Sequence, residues 1–282
     1  ANGLTVVVNR DPVSKLAAVN ILYKAGARNE NPERTGFAHL FEHLMFRGTR
    51  RIPNFDLPVQ MACGDNNAFT NNDYTDFYIT LPKDNVETAL WLESDRMEGL
   101  DITPAKLEAE KKVVIEEFRQ RYLNQPYGDQ PMLLRALAYK VHPYRWAAIG
   151  LATDHIAGAT LADVESFYRT HYRPSNAILS ISADMEEERM LELAEKWFAP
   201  LADHPSATAA IPQEPMQTQA RRQEVERDVP ASTVTVAYHM CARTKPDFYT
   251  ADLVSDLLSG GDSGRLYTHL VKERNLLSSV NA

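Results

Sequence analysis

The chain has 282 residues, of which 44% are hydrophobic and 24% charged, with a formal net charge of -8. That length and apolar content suffice for a sizeable core in one large domain or two smaller ones, and the acidic balance argues against nucleic acid as a partner while permitting attraction of basic peptides. Mean hydropathy is -0.37 and no apolar run approaches the roughly 20 residues of a membrane span, so no membrane span is expected.

In chain order, residues 4–8 and 17–23 read as β-strands, with Asn9-Arg10-Asp11-Pro12 as turn chemistry between them. Because Ala1 stands just before that first strand, a leader segment is expected to have been removed. The compartment stays open, with a bacterial-type cytoplasm or periplasm as the expectation. A polar loop over 29–35 feeds a helix-length run, 36–46, that is apolar except for His39, Glu42 and His43. On a 3.6-residue helix the two histidines are one turn apart and Glu42 lies beside them, while Phe37, Leu40, Phe41, Leu44 and Met45 cover the rest. Burying a carboxylate and two imidazoles costs several kcal/mol unless each is paired or metal-bound. The H-x-x-E-H order is that of the inverzincins, in which two imidazoles bind one zinc and the carboxylate between them acts on water. The competing reading is a pair of core histidines with a helical salt bridge.

Residues 69–81, rich in Thr, Tyr and Phe, predict paired strands, with Asn67 to Thr70 already on a strand, and 85–97 carries helical spacing. A second helix opens with Thr103 as N-cap and Pro104 at its first position, and ends before Asn124-Gln125-Pro126. There Leu107, Val114 and Phe118 form the apolar stripe, Glu110 and Glu117 lie together beside it, and Glu116 points to the opposite, solvated side. His142, in His142-Pro143-Tyr144, lacks ligand spacing and reads as packing, and His155, His171, His204, His239 and His269 are isolated. Cys63 and Cys241 lie far apart without ligand spacing and read as reduced, structural residues. The stretch 204–219, with Pro205, Pro212 and Pro215, has the composition of an interdomain linker. Beyond it, 249–258 can be laid on 36–45, with Asp252, Ser255 and Asp256 where His39, Glu42 and His43 stand, and 276–280 reads as a strand.

The run Gly36-Phe37-Ala38-His39-Leu40-Phe41-Glu42-His43-Leu44-Met45-Phe46-Arg47-Gly48-Thr49 resembles the zinc signature of the pitrilysin and mitochondrial-processing-peptidase family. Residues 2–6 resemble that family's opening strand, 67–70 its substrate-edge strand, 110–118 its second zinc helix and 172–177 a later structural motif, all in order. The resemblance implies an α+β fold of two related domains, each a sheet with helices packed on one face. A zinc-bearing catalytic domain would occupy 1–203, a linker 204–219, and the start of a related, non-metal-binding domain, left truncated, 220–282.

It also implies a zinc-dependent endopeptidase acting on peptides or unfolded polypeptides bound in extended form. His39, His43 and Glu117 match the metal ligands and Glu110 the acidic residue behind them. Glu42 matches the general base toward a zinc-bound water. Asn67, Ala68 and Phe69 match the edge strand that pairs with substrate backbone. The family's substrate-binding Arg and Tyr, seven residues apart, fall at Val271 and Ser278, and Arg274 is three residues out of position. A zinc subunit that becomes active with a partner chain supplying that pair is one alternative, and pairing with a copy of itself or a related subunit is allowed. A non-catalytic peptide-binding or assembly subunit is another. A zinc hydrolase of small molecules is disfavoured by the edge-strand match.

Overall fold

The computed structural model describes residues 2–204 and 209–282, so residues 205–208 of the expected linker lie outside the described residues. Contacts divide the chain into two compact units, Ala1–Thr233 and Val234–Ala282.

In the first unit, β1 (Thr5–Arg10), β2 (Leu16–Tyr23), β3 (Asp65–Thr70), β4 (Thr75–Pro82) and β5 (Ala177–Ala183) form one sheet in the order β1-β5-β2-β4-β3. β1 runs parallel to β5 and every other neighbouring pair is antiparallel. The alternation of the sequence selects the buried face: Ala17, Val19, Ile21 and Tyr23 of β2 are fully buried, as are Phe77 and Ile79 of β4 and Leu179 and Ala183 of β5. Register then stacks them, with Ile21 opposite both Phe77 and Leu179. Residues of opposite parity, such as Ala18, Leu22 and Thr80, stay partly or fully exposed, which leaves the second face open.

The helices of this unit are α1 (Phe37–Leu44), α2 (Asp56–Met61), α3 (Val86–Glu98), α4 (Pro104–Phe118), α5 (Gln130–Ala138), α6 (Thr153–Ala157), α7 (Leu161–His171) and α8 (Glu187–Phe198), of which α1, α2, α3 and α8 contact the sheet directly. α3 packs on β2 and α8, while α1 packs on α4, α7 and β3. α1 starts at Gly36, whose φ of +90° is a left-handed conformation that favours glycine. A Cβ there would also lie 2.6 Å from the Ile149 carbonyl oxygen. Thr103 caps α4 as its position predicts, its hydroxyl accepting from the Lys106 N–H at 3.2 Å. Past Phe118 the chain widens into a π-helical stretch, Arg119–Leu123, before leaving the helix near Asn124.

The second unit contains α9 (Asp247–Ser259), which covers the stretch that the sequence lays on α1. It contains no strand among the described residues. The strand expected at 276–280 does not form, because the N–H groups of Leu276 and Leu277 turn back to the Leu270 carbonyl at 2.9 and 3.3 Å and are spent locally. Among the described residues, no helix is long and apolar enough to cross a membrane.

Candidate metal centre

His39 and His43 stand one turn apart on α1, their ring centroids 4.8 Å apart. α4 packs across α1 and brings Glu117 between them, so that Glu117 Oε2 lies 3.1 Å from His39 Nε2 and 3.3 Å from His43 Nε2. Ligand-type atoms of all three fall within 4.8 Å of one another, and no other such group occurs among the described residues. The phase of α4 produces this. Burial of Leu107, Val114 and Phe118 against the core turns Glu110 and Glu117 toward α1. Glu116 points away, half exposed, toward Arg119 and Gln120.

Charge around the trio is layered. The Glu110 side chain is 2% exposed; its Oε2 lies 3.3 Å from His43 Nδ1 and its other oxygen pairs with Arg47. Arg121 approaches Glu117 Oε1 at 2.9 Å. Glu42 Oε2 lies 3.4 Å from His39 Nδ1 and accepts from the Thr70 hydroxyl. Burial of His43 opposes a charged ring, but hydrogen bonds to Glu110 and Glu117 outweigh it, and its pKa is pushed up to about 9. The same competition, with Glu117 and Glu42 as partners, raises that of His39. The two imidazoles in turn hold the Glu117 carboxyl far below the usual carboxylate range. Three carboxylates thus face two imidazoles in a half-buried cleft, a donor set suited to a divalent cation.

β3 forms the wall beside this cluster and the edge of the sheet, with no strand on its outer side among the described residues. Ala68 packs against the core and Thr70 turns toward α1, whereas Asn67 and Phe69 are exposed on the other parity. The Ala68 N–H is not used by β4; it meets Asn67 Oδ1 at 2.8 Å, on the free edge. All three residues expected to bind substrate therefore lie on one open strand, with Ala68 alone of them on the side of the metal cluster.

Thr70, Arg47 and Arg121 touch the cluster; Thr70 and Arg47 fall inside the matched runs 67–70 and 36–49, but no role for any of the three was read from the sequence. Their spacing carried the signal: Thr70 shares the strand parity of Ala68, and Arg47 and Arg121 stand four residues after His43 and Glu117. His142 serves its own loop, its Nδ1 accepting from the Tyr144 N–H at 3.1 Å. The Tyr144 hydroxyl donates to the Asp73 carboxylate at 2.6 and 2.7 Å, and burial together with that carboxylate pushes its pKa up to about 12.

Two family models match the chain: insulinase (peptidase family M16) over residues 5–145, and the peptidase M16 inactive domain over residues 158–282. The zinc protease PqqE of Helicobacter pylori is 34% identical over 285 residues, spanning 99% of this chain and 64% of its own length. A probable mitochondrial-processing peptidase beta subunit of Arabidopsis thaliana is 26% identical over 252 residues, spanning 87% of this chain and 47% of its own. The chain thus covers less than two thirds of either relative. Among solved structures, a protease from Helicobacter pylori superposes with a TM-score of 0.87 at 32% identity, covering 99% of this chain and 68% of that one. An M16 inactive-domain protein from Pseudomonas fluorescens shares the fold, with a TM-score of 0.80 at 20% identity.

Proposed function

The chain belongs to peptidase family M16, the insulinase family, and from that membership we propose that it is a zinc-dependent endopeptidase acting on extended peptides or unfolded polypeptides. The observation that carries this reading is the convergence of His39 Nε2, His43 Nε2 and a Glu117 oxygen on one spot, beside Glu42 and an unpaired strand edge. The donors fit zinc: two imidazoles and one carboxylate leave room for a further ligand, the pattern of catalytic rather than structural sites. His39, His43 and Glu117 would hold the ion, and Glu110 would fix the ring of His43 through Nδ1. When bound there, zinc supplies Lewis acidity, lowering the pKa of water to about 7 and polarising a carbonyl oxygen.

Glu42 acts as general base. Its Oε2 is anchored by the Thr70 hydroxyl and by His39 Nδ1, which leaves Oε1 to take a proton from the attacking water and deliver it to the departing amine. β3 presents its outer backbone, including the Ala68 N–H, to a substrate strand, which aligns the peptide by main-chain hydrogen bonds and tolerates varied side chains. The division into a metal-bearing 1–203, a linker at 204–219 and the beginning of a related half from 220 belongs to the same proposal. So does a second reading: Val271 and Ser278, in place of an Arg and a Tyr, favour a subunit that is completed by a partner chain.

The experiment is cleavage of a quenched, unstructured peptide by wild type and Glu42→Gln, with zinc content measured on the same samples. Glu42→Gln is expected to keep its zinc and lose turnover by about 10²–10⁴-fold, the usual worth of a positioned base. Turnover in Glu42→Gln equal to wild type contradicts the assignment.

A further inference from the structure

We propose that Glu30 is a positioning residue for the metal centre: its carboxylate holds the N-terminus of α1 and thereby sets how tightly His39 and His43 bind zinc. The inference rests on the zinc reading above and concerns a residue outside the ligand set.

α1 has no side-chain cap of its own, because Gly36 occupies the N-cap position. Glu30 does that work from six residues upstream. Its Oε2 accepts from the Gly36 N–H at 2.9 Å and its Oε1 from the Ala38 N–H at 2.8 Å. Ala38 immediately precedes His39. A third donor, Trp146 Nε1, reaches Glu30 Oε2 at 3.1 Å and the Ala27 carbonyl at 3.0 Å. Glu30 is 7% exposed and Trp146 1%. A carboxylate this buried is expensive to keep ionised, and burial pushes its pKa up to about 8 despite the three donors. Its oxygens face the free N–H groups and positive dipole end of α1, where an acceptor is most favourable.

The backbone beside Glu30 and Trp146 is tied in turn to the residues that follow β3. The N–H groups of Ala27 and Arg28 donate to the Asn71 and Asn72 carbonyls at 3.1 and 2.8 Å, and Asn72 Nδ2 donates to the Trp146 carbonyl at 3.0 Å. Asn71 and Asn72 directly follow Thr70, the residue that touches Glu42. α1 has only eight residues, about 12 Å of axis, so a small tilt at its start displaces both histidines and changes the approach of Glu42 to β3. Glu30 therefore fixes in one place the spacing of the ligands and the register of the base against the substrate edge. Supporting groups of this kind tune metal affinity without touching the ion.

The test uses the full chain at a temperature where circular dichroism reports each variant folded. Zinc affinity is read by competition with a chromogenic chelator, for wild type, Glu30→Gln and Trp146→Phe. Glu30→Gln keeps the size of the side chain and sets an amide NH2 against donors that now meet an acceptor oxygen. It is expected to weaken zinc binding by about 10–100-fold, and Trp146→Phe, which takes one donor from Glu30, to weaken it less and in the same direction. A merely structural role would lower the unfolding temperature and leave the affinity of the folded protein unchanged. A folded Glu30→Gln that binds zinc within twofold of wild type overturns the inference; if Glu30→Gln does not fold, Trp146→Phe decides by the same criterion. Wild type that binds no zinc defeats the zinc reading itself, a result distinct from failure of the Glu30 assignment.

Discussion

His171 ends α7 with 6% of its surface exposed, its ring 4.6 Å from that of Phe167 and its Nδ1 without a hydrogen-bond partner among the described residues. Burial, reinforced by the nearby Arg173 charge, lowers its pKa to about 4, against 6.5 for a free imidazole. Between these values the unfolded chain binds the proton and the folded chain does not, so stability is intact above pH 6.5 and falls as the pH drops to 4. At about 1.4 kcal/mol per tenfold, the loss is roughly 3 kcal/mol. Urea unfolding of metal-free wild type and His171→Phe at pH 7 and pH 4 checks it. The difference between the two proteins should shrink or reverse at the lower pH, because titration of the metal centre is common to both; equal shifts in both would refute it. The contrast with His39 and His43 is instructive, since carboxylate neighbours raise both of those while His171 has none. Helix phase alone separated Glu117 from Glu116 in the sequence. Glu30 was invisible there, because its role depends on Trp146 returning to it from 116 residues away.

At the scale of elements, β3 combines a paired inner edge with an outer edge free of strands among the described residues. If substrate pairs there, Ala68→Pro removes a donor that the ladder to β4 does not use, at an edge position where proline is tolerated. The expected outcome is a KM raised about tenfold with zinc affinity within twofold of wild type, measured by steady-state cleavage and chelator competition. An unchanged KM would mean that the peptide enters elsewhere. Strands β1 and β2 and helices α1, α3 and α4 were legible from period and capping, to within a residue or two except for the π-helical extension of α4. The start of β3 was less so, because Asp65 and Asn66 have poor strand chemistry and are held there by pairing with Thr80 and Ile79. The region 276–280 misled for the opposite reason: its residues suit a strand, but Leu270 takes its amides before any partner strand can.

For the whole molecule, family membership fixes the kind of protein, and the order of motifs along the chain made that family legible before any coordinates. What composition and spacing could not give is whether this chain works alone. With Val271 and Ser278 at the positions of the expected Arg and Tyr, the isolated chain should turn over peptide weakly. Adding a related subunit that carries the pair should raise kcat, by up to 10²–10³-fold if the pair stabilises an oxyanion. Robust cleavage by the chain alone, indifferent to any added subunit, would show that another group does this work. The central claim, that α1 and α4 together build a three-ligand zinc site, is tested most directly by elemental analysis of purified wild type, Glu117→Gln and Glu116→Gln. The account predicts about one zinc per chain in wild type and Glu116→Gln, and its loss from Glu117→Gln; zinc kept by Glu117→Gln and lost from Glu116→Gln, or absent from wild type, would contradict it.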